Sequence, residues 1–271
     1  MRILIADGDG GYRHSVAVID EFAATLATRL GARPPVRVQW PEPDETRLRR
    51  PRSWDAASAA GVADLARIVR LHPSDEIILL GSRCGCRVVQ DCLEAYPDQV
   101  DRVVGVGLMA DPCRPHGRSL PGSGDPGGRG VAGGRVGPIP DRTFWVTVPG
   151  DPLSDVGKDS LLRATVRDSA LTPDQVYRGL LEDLPASRTK MAARLHVFQH
   201  PTEWASVFGR RLDEARDQLV RYGDGGYISQ YTAPGPGGRS PLDVLGDQLV
   251  EEALLRRDAS GPAAPWARRA S

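Results

Sequence analysis

Ile77-Ile78-Leu79-Leu80-Gly81-Ser82-Arg83-Cys84-Gly85-Cys86-Arg87-Val88-Val89 reads as a buried strand, a sharp turn between two glycines and the start of a helix. That is the build of a nucleophile elbow, Gly-x-Ser-x-Gly, whose central residue projects its side chain over the end of a sheet. Gly81 and Gly85 stand at the required spacing, and the central residue is Arg83. A guanidinium keeps its proton at any accessible pH and cannot attack a carbonyl. The stretch predicts the architecture of a catalytic turn without the atom that does the chemistry.

On either side of it, strand and helix patterns alternate. Residues 2–6 form a short apolar strand, followed by the glycine-rich turn Gly8-Asp9-Gly10-Gly11. Helical spacing then runs through Val16, Ile19, Phe22, Ala23, Leu26 and Leu30. Val36 to Trp40 reads as a second strand, and residues 41–53 as a loop rich in Pro and Arg. Ser53 is a cap for a helix through Ala63, Leu65, Ile68 and Leu71. The strand at 76–81 and a helix at 86–96 follow, then a fully apolar strand, Val103 to Met109. Residues 111–142 are a long loop dense in Gly and Pro, a length that is usually functional or disordered. Thr143 to Val148 is the next strand.

From 159 to 222 the pattern is mainly helical, over Leu161–Val166, Pro173–Leu184 and Pro201–Tyr222. Residues 223–239 read as a loop, and Ser240-Pro241 opens a last helix through Leu242, Leu245, Leu249 and Leu254. Near-continuous apolar strands between helices predict an α/β, doubly wound, mostly parallel sheet covered on both faces. One domain is expected over 1–258, with 159–222 as a helical insert or lid region. Residues 259–271 are expected as an extended tail with Trp266 as its single aromatic side chain.

Acids and bases balance at 35 each, so charge gives no argument for a nucleic-acid or membrane partner. No apolar run approaches the roughly 20 residues that span a bilayer. The segment after Met1 reads as a strand rather than a signal peptide, so synthesis in the cytoplasm is expected. Cys84, Cys86, Cys92 and Cys113 lack zinc spacing and are expected as free thiols. The turn at 8–11 matches neither G-x-x-x-x-G-K-[ST] nor G-x-G-x-x-G. No cofactor and no metal ion is expected.

The text from Val103 to Asp151 narrows the family. Val-Gly-Val-Gly-Leu-Met-Ala-Asp-Pro-Cys-Arg-Pro, Asp-Pro-Gly-Gly-Arg-Gly-Val-Ala-Gly and Val-Pro-Gly-Asp-Pro-Leu resemble the cutinase-like serine esterases. They are most similar to the lysin B group of actinobacterial phages and its relatives among virion proteins. The resemblance covers roughly residues 1–250. It implies an α/β-hydrolase fold, and a Ser…Asp…His triad in that chain order. Family members cleave cutin or, in lysin B, the mycolate ester on arabinogalactan. Carried over residue by residue, the serine position is Arg83, the Asp position is Asp151 in Gly150-Asp151-Pro152, and the His position is Tyr227. No histidine lies beyond His200. The oxyanion turn of the family maps onto Asp7-Gly8-Asp9-Gly10, where the Asp9 carboxylate would oppose a developing negative charge.

The remaining nucleophiles read as structural. Ser82 lies at the strand end, Cys84 is expected to pack helix on sheet, and Cys86 and Cys92 fall on one helix as core thiols. His196 and His200 are expected at the surface of the insert. The cluster Arg47, Arg49, Arg50 and Arg52 is a solvated loop or a contact for an acidic partner. Arg83 is expected to be held by Asp9, Asp151 or both, because a lone buried charge is costly.

The resemblance implies a catalytically inactive lysin B-like protein, carried in the virion as a minor tail or tail-tip component. Its expected partners are other tail proteins, reached through the tail with Trp266, and host-envelope glycan or lipid. The alternatives are an active serine esterase with a non-standard nucleophile, and a host-encoded cutinase-like binding protein.

Overall fold

A computed structural model describes residues 1–7, 13–41, 53–121, 123–134, 139–183, 207–235 and 237–259. Among them are the strands β1 (Arg2–Asp7), β2 (Val36–Arg37), β3 (Ile77–Ser82), β4 (Val103–Met109) and β5 (Thr143–Val146). They form one parallel sheet in the order β2-β1-β3-β4-β5. Every residue of β1, β3, β4 and β5 is buried, as parallel strands covered on both faces require.

The alternation of side chains sorts the core into two layers. Ile3, Ile5, Ile78, Leu80 and Val104 pack with Ile19, Ala23 and Leu26 of α1 (Arg13–Leu30) and with Leu242, Leu245 and Leu249 of α8 (Pro241–Ala259). Leu4, Ala6, Ile77, Leu79, Val106 and Leu108 pack with Leu65, Ile68 and Val69 of α2 (Trp54–Leu71) and Val88 and Val89 of α3 (Gly85–Ala95). Each such aliphatic side chain contributes about 1.5–3 kcal/mol by leaving water. The doubly wound α/β architecture read from the sequence is present, with helices on both faces of a parallel sheet.

Local signals set the helix starts. The Ser53 hydroxyl accepts from the amide of Ala56 and begins α2. Ser240 and Asp243 bond reciprocally across the first turn of α8, a capping box. The segment read as a helical insert contains α4 (Leu161–Arg167), α5 (Pro173–Asp183) and α6 (Val207–Asp224). The helix expected from Pro201 is described only from Val207. The expected loop at 223–239 differs: Gly226–Ser229 is a single helical turn, α7, entered through Gly225 at φ 67°. Val148 lies beyond β5, which stops at Val146.

The turn at 8–11, the arginine cluster of 47–52, His196, His200 and the tail with Trp266 lie outside the described residues. Among the described residues no helix is long and apolar enough to cross a membrane.

Candidate functional site

In an open parallel sheet the ligand crevice forms at the carboxyl ends of the strands, where the strand order reverses. Here that point lies between β1 and β3, whose last residues Asp7 and Ser82 are paired in register. Arg83 follows at once, with φ 54°, and α3 begins two residues later. An L-residue in this left-handed conformation costs about 1–2 kcal/mol. The turn is held by the Arg83 amide on Met109 O at 2.9 Å and the Cys86 amide on Arg83 O at 3.1 Å. Both glycines are required by close approach. A Cβ at Gly81 would lie 2.8 Å from Cys86 Cα, and one at Gly85 would collide with the Ala6 carbonyl.

The Arg83 side chain is 1% exposed. Its guanidinium is ion-paired with Asp174 and donates to the Tyr222 hydroxyl at 2.8 Å. The expected partners were Asp9, Asp151 or both: Asp9 lies outside the described residues, Asp151 is bonded elsewhere, and the described carboxylate that pairs with Arg83 is Asp174, at the start of α5. Thr172-Pro173-Asp174-Gln175 explains why a carboxylate stands there. The Thr172 hydroxyl accepts from the Gln175 amide at 3.2 Å, and Gln175 Oε1 accepts from the Thr172 amide at 3.1 Å. Asp174 occupies the second position of the helix, where its charge complements the helix dipole.

Asp174 also accepts from the Tyr222 hydroxyl at 2.6 Å and from Cys84 Sγ at 3.0 Å. Burial pushes its carboxyl up. The Arg83 charge and the Tyr222, Arg83 and Cys84 hydrogen bonds outweigh that and hold it below the usual carboxylate range. For Arg83 burial acts downward, and Asp174 ahead of the tyrosines more than reverses it. The ion pair is therefore fully formed, and α5 is fastened over the elbow by a charge-assisted bond.

Asp151 sits apart from this pair. It is fully buried and accepts from the amides of Leu153 at 2.7 Å and Ser154 at 2.9 Å, and from the Tyr231 hydroxyl. Burial raises its pKa, partly offset by Tyr231, these two amides and the Arg83 charge. Tyr227 occupies α7 rather than a loop, with its ring buried and stacked on Tyr222 at 6.3 Å. The tyrosine hydroxyl on Asp151 belongs to Tyr231, four positions later. Sequence reading placed Tyr231 in the right segment and passed over its role.

The chemistry open to this cluster is narrow. Burial, then the Asp174 charge, push the Cys84 thiol well up, so it keeps its proton and donates to Asp174. Ser82 is fully buried beside Asp7. The four cysteines are free thiols, and Cys84, Cys86 and Cys92 are buried. Neither Ser82 nor Cys84 is placed to meet a substrate.

Asp7 has its own electrostatic signature. Burial raises its carboxyl to about 6, against the pull of Ser82 and of Arg37, which lies 3.5 Å away. A folded-state pKa above the unfolded value gives stability that is complete below about pH 4. That stability is lost as pH rises through about 6, where the buried group must ionise. Asp7→Asn is therefore expected to be more stable than the parent by roughly 2–3 kcal/mol at pH 7.5 and equal to it near pH 4. Urea unfolding at the two pH values reads the difference, and an equal offset at both would refute it.

The loop after β4 is built around a second buried arginine. Arg114 is fully buried and donates to the carbonyls of Ser154 at 2.8 Å, Arg118 at 2.7 Å and Gly128 at 2.7 Å. Asp111, equally buried, accepts from Gln90 and Trp145 at 2.9 Å each and from the Cys113 amide at 2.8 Å. These two side chains fasten the described part of the 111–142 loop to α3, β5 and the turn that carries Asp151.

No protein-family model matches the chain, and no curated protein matches it. Among solved structures it is similar to lysin B from Mycobacteriophage D29, at 14% identity over 94% of this chain and 98% of that one, with a TM-score of 0.43. It is similar to a cutinase-like protein from Cryptococcus sp. at 16% identity, over 72% of this chain and 95% of the other, with a TM-score of 0.41. The catalytic core domain of acetyl xylan esterase from Trichoderma reesei matches at 14% identity, over 72% of this chain and 97% of the other, with a TM-score of 0.41.

Proposed function

We propose that this chain is a hydrolase-fold protein that hydrolyses no ester and serves as a structural component of a virion, as a minor tail or tail-tip protein. The observation that carries the first half is Arg83. The apex of the elbow holds a buried, ion-paired guanidinium, in the place where an esterase presents its nucleophile. Asp174 and Tyr222 fill the space above it. The Asp151 carboxylate is spent on backbone amides and a tyrosine hydroxyl, so it orients no general base. The second half rests on the sequence resemblance to the lysin B group and its virion relatives. In that role the tail with Trp266 contacts neighbouring tail proteins, and the outer surface faces host-envelope glycan or lipid.

Purified protein is expected to release no p-nitrophenol from short or medium acyl esters above a heat-killed control, and to take up no fluorophosphonate probe. Turnover abolished by Ser82→Ala or Cys84→Ala would overturn the inactive reading. Mass spectrometry of purified particles is expected to find the chain, and its absence from them would overturn the virion role alone.

A further inference from the structure

A second concavity lies away from the elbow, between α4, α6 and the turn at 130–133. It encloses about 280 Å³, and its lining includes Val131, Gly133, Lys158, Arg163, Arg167 and Arg211. Four cationic residues line it, and Asp159 is the one carboxylate among the described lining residues. Neutralisation within the protein is weak. Asp159 stands 3.9 Å from Arg211, and Arg167 meets exposed Asp168 at 3.4 Å. Exposed pairs of this kind contribute little. Lys158 has no ion pair among the described residues. Arg163 is half-buried and gives one hydrogen bond, to the Gly130 carbonyl at 3.3 Å. Burial, then repulsion from Arg129 and Arg167, holds its guanidinium below the usual arginine range. Like charges crowded around a recess are stabilised by an anion that enters it.

We propose that this cleft is a binding site for a phosphate-class oxyanion carried on a small organic body. Guanidinium groups match the oxygens of phosphate in paired hydrogen bonds, and an ammonium adds a point charge. The volume exceeds what the oxyanion alone needs and approaches that of small-molecule sites. The apolar lining by Val131, Leu161 and Ala164 provides for the attached body. Lys158, Arg163, Arg167 and Arg211 line one recess of this size, which fits a single headgroup rather than a polymer. The site is separate from the elbow and does not depend on the proposed function.

Calorimetry on the full chain at fixed ionic strength tests it, with inorganic phosphate and glycerol phosphate as probes. Saturable binding of glycerol phosphate is expected, weakened about tenfold by Arg163→Gln and by Lys158→Gln. Lys158 is exposed, so its replacement leaves the fold intact. Sedimentation with phosphatidylcholine vesicles, with and without phosphatidic acid, separates the sources. Capture by the acidic vesicles alone assigns a lipid headgroup, and binding of glycerol phosphate without vesicle capture assigns a soluble ester. No saturable binding of either phosphate, or equal binding by both variants and the parent, would overturn the site.

Discussion

Replacing Arg83 by serine is expected to destabilise the protein by about 3–5 kcal/mol and still to yield no esterase. The substitution installs the residue an elbow calls for and removes the charge that the surrounding structure is built around. Asp174 is left 1% exposed, with its hydroxyl and thiol donors but without its cation. A carboxylate in that position has lost the interaction that offsets its burial. The pH dependence carries the signature. In the parent, the depressed pKa of Asp174 gives stability that is present above the ordinary carboxylate range and lost as pH falls through the folded value. Without Arg83, burial raises that carboxyl, which then takes a proton and sheds the cost. The deficit of Arg83→Ser is therefore expected to be largest near neutrality and to shrink towards pH 4. Arg83→Met combined with Asp174→Leu is expected to recover most of the loss, since removing both charges leaves none unpaired. Urea unfolding of the parent, Arg83→Met, Asp174→Leu and the double variant completes the cycle. A single Arg83→Ser variant within 1 kcal/mol of the parent at pH 7, as a rough limit, would refute the account.

Arg114→Ala is expected to have an effect of similar size by a different route. Its guanidinium satisfies three carbonyls from three separate segments, at 118, 128 and 154. Deleting it leaves the buried Ser154 carbonyl without its donor, at about 1–3 kcal/mol if no water replaces it, frees the carbonyls of Arg118 and Gly128 and removes the cation beside Asp125 and the largely buried Asp155. A loss on the order of 3–5 kcal/mol is expected, with local opening of the 111–134 segment preceding global unfolding. Arg114→Lys is not expected to rescue it, because an ammonium lacks the planar fork that reaches three directions at once. Limited trypsin digestion followed by mass spectrometry checks this through new early cuts after Arg118 or Arg129. An unchanged cleavage pattern in Arg114→Ala would sink the idea that one side chain organises the loop.

The readable parts of the sequence were those whose cause is local. The glycine pair at 81 and 85 identified the elbow because close backbone approach admits no other residue at either place. Ser53 and Ser240 marked helix starts because a hydroxyl satisfies amides that the helix leaves free. The apolar run at 103–109 read as a strand buried on both faces, and it is one. What sequence could not supply was pairing at a distance. A buried arginine demands a carboxylate, but the chain offers 35 acids, and Asp174 reads as an ordinary first-turn helix acid. It meets Arg83 across 91 positions only through the packing of α5 on the sheet. The partner of Asp151 is Tyr231, two residues past the helical turn that carries Tyr227, and a loop reading gives no way to tell which side chain of the segment faces inward. Arg114 gave no signal at all, since nothing local marks one arginine of a loop as its centre.

The order of the elements along the chain has a consequence for synthesis. The five strands among the described residues are complete by Val146, whereas Asp174 and the α8 side chains that cover one face of the sheet come later. At about 5–20 residues per second, the strands emerge seconds before the groups that enclose them. Until Asp174 is made Arg83 has no such carboxylate to pair with, and a guanidinium in water is well solvated where an aliphatic side chain would be an adhesive spot. A residue that is costly to bury in the finished protein is thus the safer one to display on the nascent chain.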